Sequence, residues 1–278
     1  RQFANHVLKL SYTKLRTWQT CQRKFYWQYI RRIEPLARNV AIDFGNAWHK
    51  AMSAWHLTRD LQSAISAFEQ AFQDDPGDSK RTQVTAKKML TLYSERYANE
   101  VFKIVADEKR FELAIGAITW TGQIDKLIEW DGKPFVLDHK TTTSLGSHLL
   151  KGFKPNLQIT GYVMAANRLF NPAYHNVLID IAWVGKTEPV SGERFIRYPE
   201  AIEAWEELEF QQFVQAEALN IVKATKFEDY LPNWNACTQY GECPFRTLCM
   251  SPPAIREKLI ETHYKPITPR EDNHSGDT

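Results

Sequence analysis

Two aspartates and a lysine in TGQIDKLIEWDGKPFVLDHKTTT, residues 121–143, are the side chains best placed to do chemistry. Asp125 stands in the first half of this stretch, and Asp138 and Lys140 stand two apart in the second. Carboxylates are the ligands of hard divalent cations, and an ammonium beside such a cation can orient a water or stabilise charge developing on a phosphate ester. That combination is suited to metal-dependent hydrolysis. A solvated surface strand also carries Asp-x-Lys near a turn, so the pair alone does not decide. The context does more: the apolar run Phe135-Val136-Leu137 leads straight into Asp138-His139-Lys140 and then three threonines. Charges placed where a buried strand stops suggest a cleft at the strand ends.

The elements that must position these groups follow from pattern. Ile124, Leu127 and Ile128 precede Asp131-Gly132 and the FVL run follows it, which predicts two strands joined by a tight turn. Alternation then projects Asp138 and Lys140 from one face and His139 from the other. Phe111 to Trp120 predicts a strand ahead of this hairpin, with Glu112 either a further acidic group at the cleft or a solvated strand residue. Pro155-Asn156 opens a helix over LQITGYVMAANRLF, on which Gln158 and Tyr162 share one face about a turn apart. Val177 to Val184 is dense enough for a strand buried on both faces, and Asp180 within it requires a partner or an edge position. Another strand is expected over 194–198 and a long charged helix over 200–224.

Upstream, residues 11–30 predict one helix entered through Ser11 or Thr13. Its aromatics recur at helical spacing and its arginines make it basic, so it fits either a packed helix with solvated charges or a surface that tracks a nucleic-acid backbone. A second helix begins near Asp43 and carries His49, which is either simply packed or part of a site, and His56, which has no functional signal. Two further helical patterns fill 60–105, divided by the loop at 74–80.

Taken together, these motifs resemble the PD-(D/E)XK nuclease superfamily. Its G-x-x-D, apolar strand and D-x-K are matched by Gly122-Gln123-Ile124-Asp125 and Asp138-His139-Lys140. Gln158 and Tyr162 match the Q-x-x-x-Y of the RecB-like exonuclease branch, and Gly45-Asn46-Ala47-Trp48-His49 is similar to that branch's histidine motif. The resemblance implies an α/β fold: a mixed sheet flanked by helices, an N-terminal helical cap and a C-terminal iron–sulfur region. It implies a Mg2+- or Mn2+-dependent deoxyribonuclease in which Asp125, Asp138 and Lys140 are catalytic. His49, Asp125, Asp138 and the backbone carbonyl of His139 would hold the metal, with Gln158 and Tyr162 contacting DNA or supporting the site. Exonuclease action on single-stranded or frayed DNA ends, in recombination, repair or phage DNA processing, is the activity it points to. Two other readings go with the same fold: a catalytically silent iron–sulfur scaffold that binds DNA, and an end-trimming factor for CRISPR-adaptation-type integration. Recombination or integration proteins would then be partners beside DNA.

The cysteines at 237, 243 and 249 form C-x5-C-x5-C, with Cys21 over two hundred residues upstream. A disulfide framework, structural zinc and a 4Fe-4S cluster are the alternatives. The x5 gaps suit zinc knuckles poorly, and several local thiols plus a distant one suit an iron–sulfur cluster. The resemblance implies the cluster as well, since RecB-like members, CRISPR-associated ones among them, use one N-terminal and three C-terminal cysteines, usually with a shorter first gap than here. Such ligation would staple a loop of about two hundred residues, worth about 5 kcal/mol in chain entropy.

At 278 residues, with 43% apolar and 24% charged residues, the chain has the composition of a globular protein. No apolar run approaches the roughly 20 residues of a membrane span, and no signal peptide is visible at Arg1, so the cytoplasm of a bacterial or phage-infected cell is the expected location. The formal charge of +2 is too small to argue for nucleic acid, so DNA binding would need a local basic groove. A single nuclease domain is expected over 1–262: a helical part at 10–105, the core at 106–226 and the cysteine region at 227–252, with a polar tail at 263–278.

Overall fold

The structure is a computed structural model that describes residues 8–100, 102–170, 174–189, 192–239 and 241–267. The chain opens with β1 (Leu8–Ser11), α1 (Tyr12–Thr20), α2 (Gln22–Phe25), a π-helical turn Tyr26–Ile30 and β2 (Ile33–Pro35). Helices α3 (Val40–Thr58), α4 (Leu61–Ala71) and α5 (Gln83–Arg96) follow, then strands β3 (Lys103–Ile115), β4 (Ile118–Trp130) and β5 (Lys133–Thr142). Next come α6 (Ser147–Lys151), α7 (Leu157–Leu169), β6 (Asn176–Trp183), β7 (Phe195–Ala201) and α8 (Ala204–Lys223). The chain closes with α9 (Arg246–Met250), α10 (Pro253–His263) and β8 (Tyr264–Pro266). None of these helices is long and apolar enough to cross a membrane. The chain divides into two compact units: Asn39–Phe111 with Gln123–Leu208, and Arg1–Arg38 with Glu112–Gly122 and Glu209–Thr278.

The first unit is a mixed sheet flanked by helices. Strand order is β4-β5-β6-β7, antiparallel, parallel and antiparallel in turn. The β4–β5 turn is the expected one, with Asp131 at φ 50 and Gly132 at φ 72, the left-handed pair that closes a tight hairpin. Parallel strands cannot be joined by a hairpin, so the β5–β6 connection has to cross over, and α7 lies in that crossover and packs on both strands. Asn156 caps α7 by accepting from the N–H groups of Gln158 and Ile159 at 2.9 and 3.2 Å. Helices α3 and α4 form an antiparallel-type pair turned at Arg59, which is left-handed (φ 58), and Asp60 caps α4 by accepting from Ser63 N–H at 2.8 Å. Phe44, Trp48 and Met52 of α3 pack with Phe68, Phe72 and Tyr93 into one buried cluster that reaches Phe195 of β7.

The second unit gathers the two ends of the chain. β1 lies parallel to residues 118–121 at the start of β4, and β2 pairs with β8. Trp27, Ile33, Phe245, Leu248 and Tyr264 form its buried core beside the cysteines. Arg31 grips Glu257 through two parallel bonds of 2.9 and 2.8 Å, and Arg23 Nε donates to the Tyr230 carbonyl at 2.8 Å.

Five stretches differ from their sequence expectation. The helix expected over 11–30 does start at a Ser11 cap, but it breaks at Cys21, whose backbone is extended (φ −166, ψ 112). The strand expected over 111–120 is instead the tip of a β3–β4 hairpin, because Gly116 adopts φ +58 and reverses the chain inside an otherwise apolar run. Asp138 and Lys140 do not end β5: the strand continues through the threonines to Thr142, paired with β6 throughout. Glu200 belongs to β7, so the long helix starts at Ala204. Of the polar stretch from 263, Tyr264–Pro266 is held as β8 and residues 268–278 lie outside the described ones.

Candidate active site

Asp125, Asp138, Lys140, His49, Gln158 and Tyr162 all lie in the first unit, and hydrogen bonds or ion pairs join them into two connected sets. The β4–β5 ladder runs as far as Lys126 opposite Leu137. One residue on, the carboxylate of Asp125 takes over, accepting the backbone N–H of His139 at Oδ2 (2.8 Å). The same oxygen lies 3.1 Å from His49 Nδ1 of α3. On the other strand Lys140 Nζ sits 2.8 Å from Asp138 Oδ2 and donates to Gln158 Oε1 at 3.0 Å, and Gln158 Nε2 donates to the Tyr162 hydroxyl at 2.9 Å. The chain Tyr162–Gln158–Lys140–Asp138 therefore runs from the crossover helix to the strand. Lys140 and Asp138 share a face as expected, and the His139 side chain is buried on the other.

The electrostatics separate the two carboxylates. Burial pushes Asp138 up, Lys140 opposes this, and the neighbouring Asp125 charge pushes it further up. Burial would also raise Asp125, but His49 first and then Lys140 and His139 hold it well below the usual carboxylate range. His49 shows the reciprocal effect: burial works against its charge, Asp125 outweighs that, and its pKa is raised. Two neighbouring carboxylates, Asp138 fully buried and Asp125 partly so, with one destabilising the other, are short of positive charge, and a divalent cation would supply it. Among the described residues, no three or more His, Cys, Asp or Glu already stand in an arrangement that would hold a metal ion. In the structure Lys140 and His49 are the cations nearest the two aspartates.

A sequence profile of the PD-(D/E)XK nuclease superfamily matches residues 9–250. The chain belongs to this superfamily. Two solved structures are similar to this PD-(D/E)XK nuclease. One is a candidate exonuclease from Eubacterium rectale, at 10% identity over 80% of this chain and 82% of that one, with a TM-score of 0.49. The other is SSO0001, at 14% identity over 90% and 89%, with a TM-score of 0.35. Neither score reaches 0.5, so membership rests on the profile. No curated protein matches in sequence.

The second unit of the PD-(D/E)XK nuclease contains all four cysteines, free and partly buried. Cys21 Sγ accepts the backbone N–H of Asn233 at 3.3 Å, and Asn233 Nδ2 donates to the Thr20 carbonyl at 3.0 Å. Cys243 N–H donates to the Cys237 carbonyl at 2.8 Å, which folds the first x5 segment back on itself. Burial first, then the charges of Cys21 and Cys237, push the Cys243 thiol up; burial, Cys21 and Cys243 do the same to Cys249. Among the described residues, the four thiols do not stand in an arrangement that would already hold a metal ion.

The sequence did not reveal what lies behind β5. His139, Asp180 and Arg197 occupy one register row across β5, β6 and β7. Tyr93 of α5 donates to Asp180, and His56 of α3 stacks edge-on against His139 with ring centroids 5.4 Å apart. Lys126, 1% exposed, pairs with Asp107, which also accepts from Ser53. The available signals were an aspartate inside VLIDIAWV and a lysine directly after Asp125 in an apolar strand. Glu112, by contrast, pairs with Lys9 at 2.8 Å on an exposed surface of the second unit, the solvated alternative.

Proposed function

We propose that this PD-(D/E)XK nuclease is a Mg2+- or Mn2+-dependent exonuclease that hydrolyses DNA phosphodiesters from single-stranded or frayed ends. The observation that carries the reading is the carboxylate pair Asp125 and Asp138, the second fully buried and the first partly so, with His49 beside one and Lys140 beside the other. Asp125, Asp138, His49 and the His139 carbonyl would hold the metal. The cation would supply Lewis acidity toward the scissile phosphate. Asp125 already spends Oδ2 on His139 N–H and His49, which leaves Oδ1 as its metal-facing oxygen. Lys140, aimed by Asp138 on one side and Gln158 on the other, would orient the attacking water or face the charge that builds on the phosphorus oxygens. Gln158, half-buried beside that lysine, would steady the strand being cut, with the buried Tyr162 hydroxyl holding its amide.

The reading extends to Cys21, Cys237, Cys243 and Cys249 as ligands of a 4Fe-4S cluster. Its support is that all four thiols lie in one unit of the fold, with Cys243 and Cys249 packed against the same buried cluster, together with the N–H···S bond at Cys21, a type of contact that tunes cluster sulfurs. The test is an anaerobic preparation, its visible absorbance, and digestion of end-labelled single-stranded DNA with Mg2+ or Mn2+. The expected result is a brown protein whose cleavage is abolished by EDTA, restored by Mn2+, and reduced on the order of a hundredfold in Lys140→Ala. If wild type leaves DNA intact with either metal, the exonuclease reading fails and a DNA-binding scaffold replaces it. A colourless anaerobic protein overturns the cysteine assignment.

A further inference from the structure

The face of β5 opposite Asp138 and Lys140 is where a sheet of this kind would place apolar side chains against its helices. It holds instead a row of ionisable groups. His139, Asp180 and Arg197 are register partners on β5, β6 and β7, so their side chains lie side by side on one face. His139 Nδ1 is 3.5 Å and Arg197 Nη2 is 3.6 Å from Asp180 Oδ2. Tyr93 donates its hydroxyl proton to the same oxygen, accepts from Arg197 Nη2 at 3.1 Å, and lies 3.4 Å from His56 Nε2. Glu100 pairs with the other nitrogen of the Arg197 fork. His139 is 1% exposed, Asp180 2% and Tyr93 1%.

Burying charges in this way is expensive, and an apolar replacement of the same volume is often as stable or more so. A purely structural layer has no need of them. What distinguishes the layer is what it holds. The backbone of His139 donates to Asp125 Oδ2, so any shift of that residue moves a carboxylate of the site. Helix α3 presents His49 to Asp125 and, two turns later on the same side, His56 to His139 and Tyr93. The layer therefore grips, from behind, both the strand and the helix whose groups meet at Asp125.

Resting on the metal-site reading above, we infer that Asp180, with Tyr93 and Arg197 fixing its carboxylate, is a positioning residue that holds His139 and α3 so that Asp125, His49 and the His139 peptide converge on the cation. Groups behind a ligand commonly change metal affinity by 10- to 100-fold when removed. Between β5 and α3 the His139 ring meets the rings of His56 and His49, with centroids 5.4 and 6.2 Å apart.

The test measures Mn2+ affinity of the whole chain directly, by electron paramagnetic resonance of free Mn2+, with no DNA and no turnover. Four proteins besides wild type are compared: Asp180→Asn, Tyr93→Phe, Asp138→Asn, and Ile33→Val as a core control in a different buried cluster from Tyr93. The expected result is that Asp180→Asn weakens Mn2+ binding about tenfold, Tyr93→Phe weakens it by less, and Ile33→Val leaves it unchanged at any loss of thermal stability. If Asp180→Asn and Tyr93→Phe bind Mn2+ as wild type does, the positioning role is overturned while the metal site stands. Should Asp180→Asn fail to fold, Tyr93→Phe alone decides, because it keeps the ring and removes one oxygen. If wild type and Asp138→Asn show the same affinity, the metal-site reading itself has failed and the positioning role falls with it.

Discussion

Lys126 and Asp107 are a buried ion pair whose energetics can be separated by a double-mutant cycle. The lysine side chain is 2% exposed and the aspartate 17%, so the two halves are not equivalent. Lys126→Met keeps most of the aliphatic volume but leaves Asp107 with Ser53 as its remaining donor. Removing one partner of a buried pair costs about 3–5 kcal/mol, and the residual donor and partial exposure of Asp107 put this variant near 3. Asp107→Leu leaves an ammonium in the interior with no counterion and belongs near 5. The double variant Lys126→Met/Asp107→Leu removes both charges, and its remaining cost is the Ser53 hydroxyl, about 1 kcal/mol, which Ser53 can recover by donating to its own helix. The predicted order of stability is wild type close to the double variant, then Lys126→Met, then Asp107→Leu. Urea denaturation followed by tryptophan fluorescence measures all four. At about 2–4 °C per kcal/mol, Lys126→Met should also melt about 6–12 °C lower. If the double variant is destabilised by the sum of the singles, the two charges do not stabilise each other and the pairing argument is wrong.

Two smaller changes test how the elements are set. Asn156→Ala removes the cap that accepts from Gln158 and Ile159 and should cost about 1 kcal/mol, read as a lower denaturation midpoint with an unchanged slope. Gly132→Ala adds a methyl group with nothing within 4 Å, so its whole effect is the left-handed backbone at φ +72, again about 1 kcal/mol, and Gly132→Asn should recover most of it. Equal stability of the alanine and wild-type proteins would mean that the turn can relax to another form.

The site was legible because its signals are local. Asp138 and Lys140 are two apart, Gln158 and Tyr162 are four apart, and each spacing already says which side chains share a face. The turn at Asp131-Gly132 was legible for the same reason, since two left-handed residues need that chemistry. The hairpin at Gly116 was not, because its flanks Ala114-Ile115 and Ala117-Ile118 are apolar on both sides and read as one strand. Nor was the break at Cys21, where the apolar spacing runs on unbroken and the bond to the Sγ atom comes from Asn233, over two hundred residues away. Asp180 was visible as an anomaly without a partner. Its partners come from β5, β7 and α5, and no periodicity within VLIDIAWV could name them.

The parallel pairing of β5 with β6 explains why one short strand can serve both faces. A crossover must leave β5 and return beside it, and α7 uses that passage to bring Gln158 and Tyr162 to Lys140. The same pairing sets His139 against Asp180, and β7 then sets Arg197 against Asp180. Moving β5 by one residue would exchange the faces, sending Asp138 and Lys140 into the buried layer and His139 into the site. Two charged rows on opposite faces thus fix the register more strongly than an alternating apolar pattern could, because either wrong face would bury unpaired charge. On this argument the layer behind β5 and the candidate site in front of it depend on the same strand alignment, and a sequence that preserved one while neutralising the other would be free to slip.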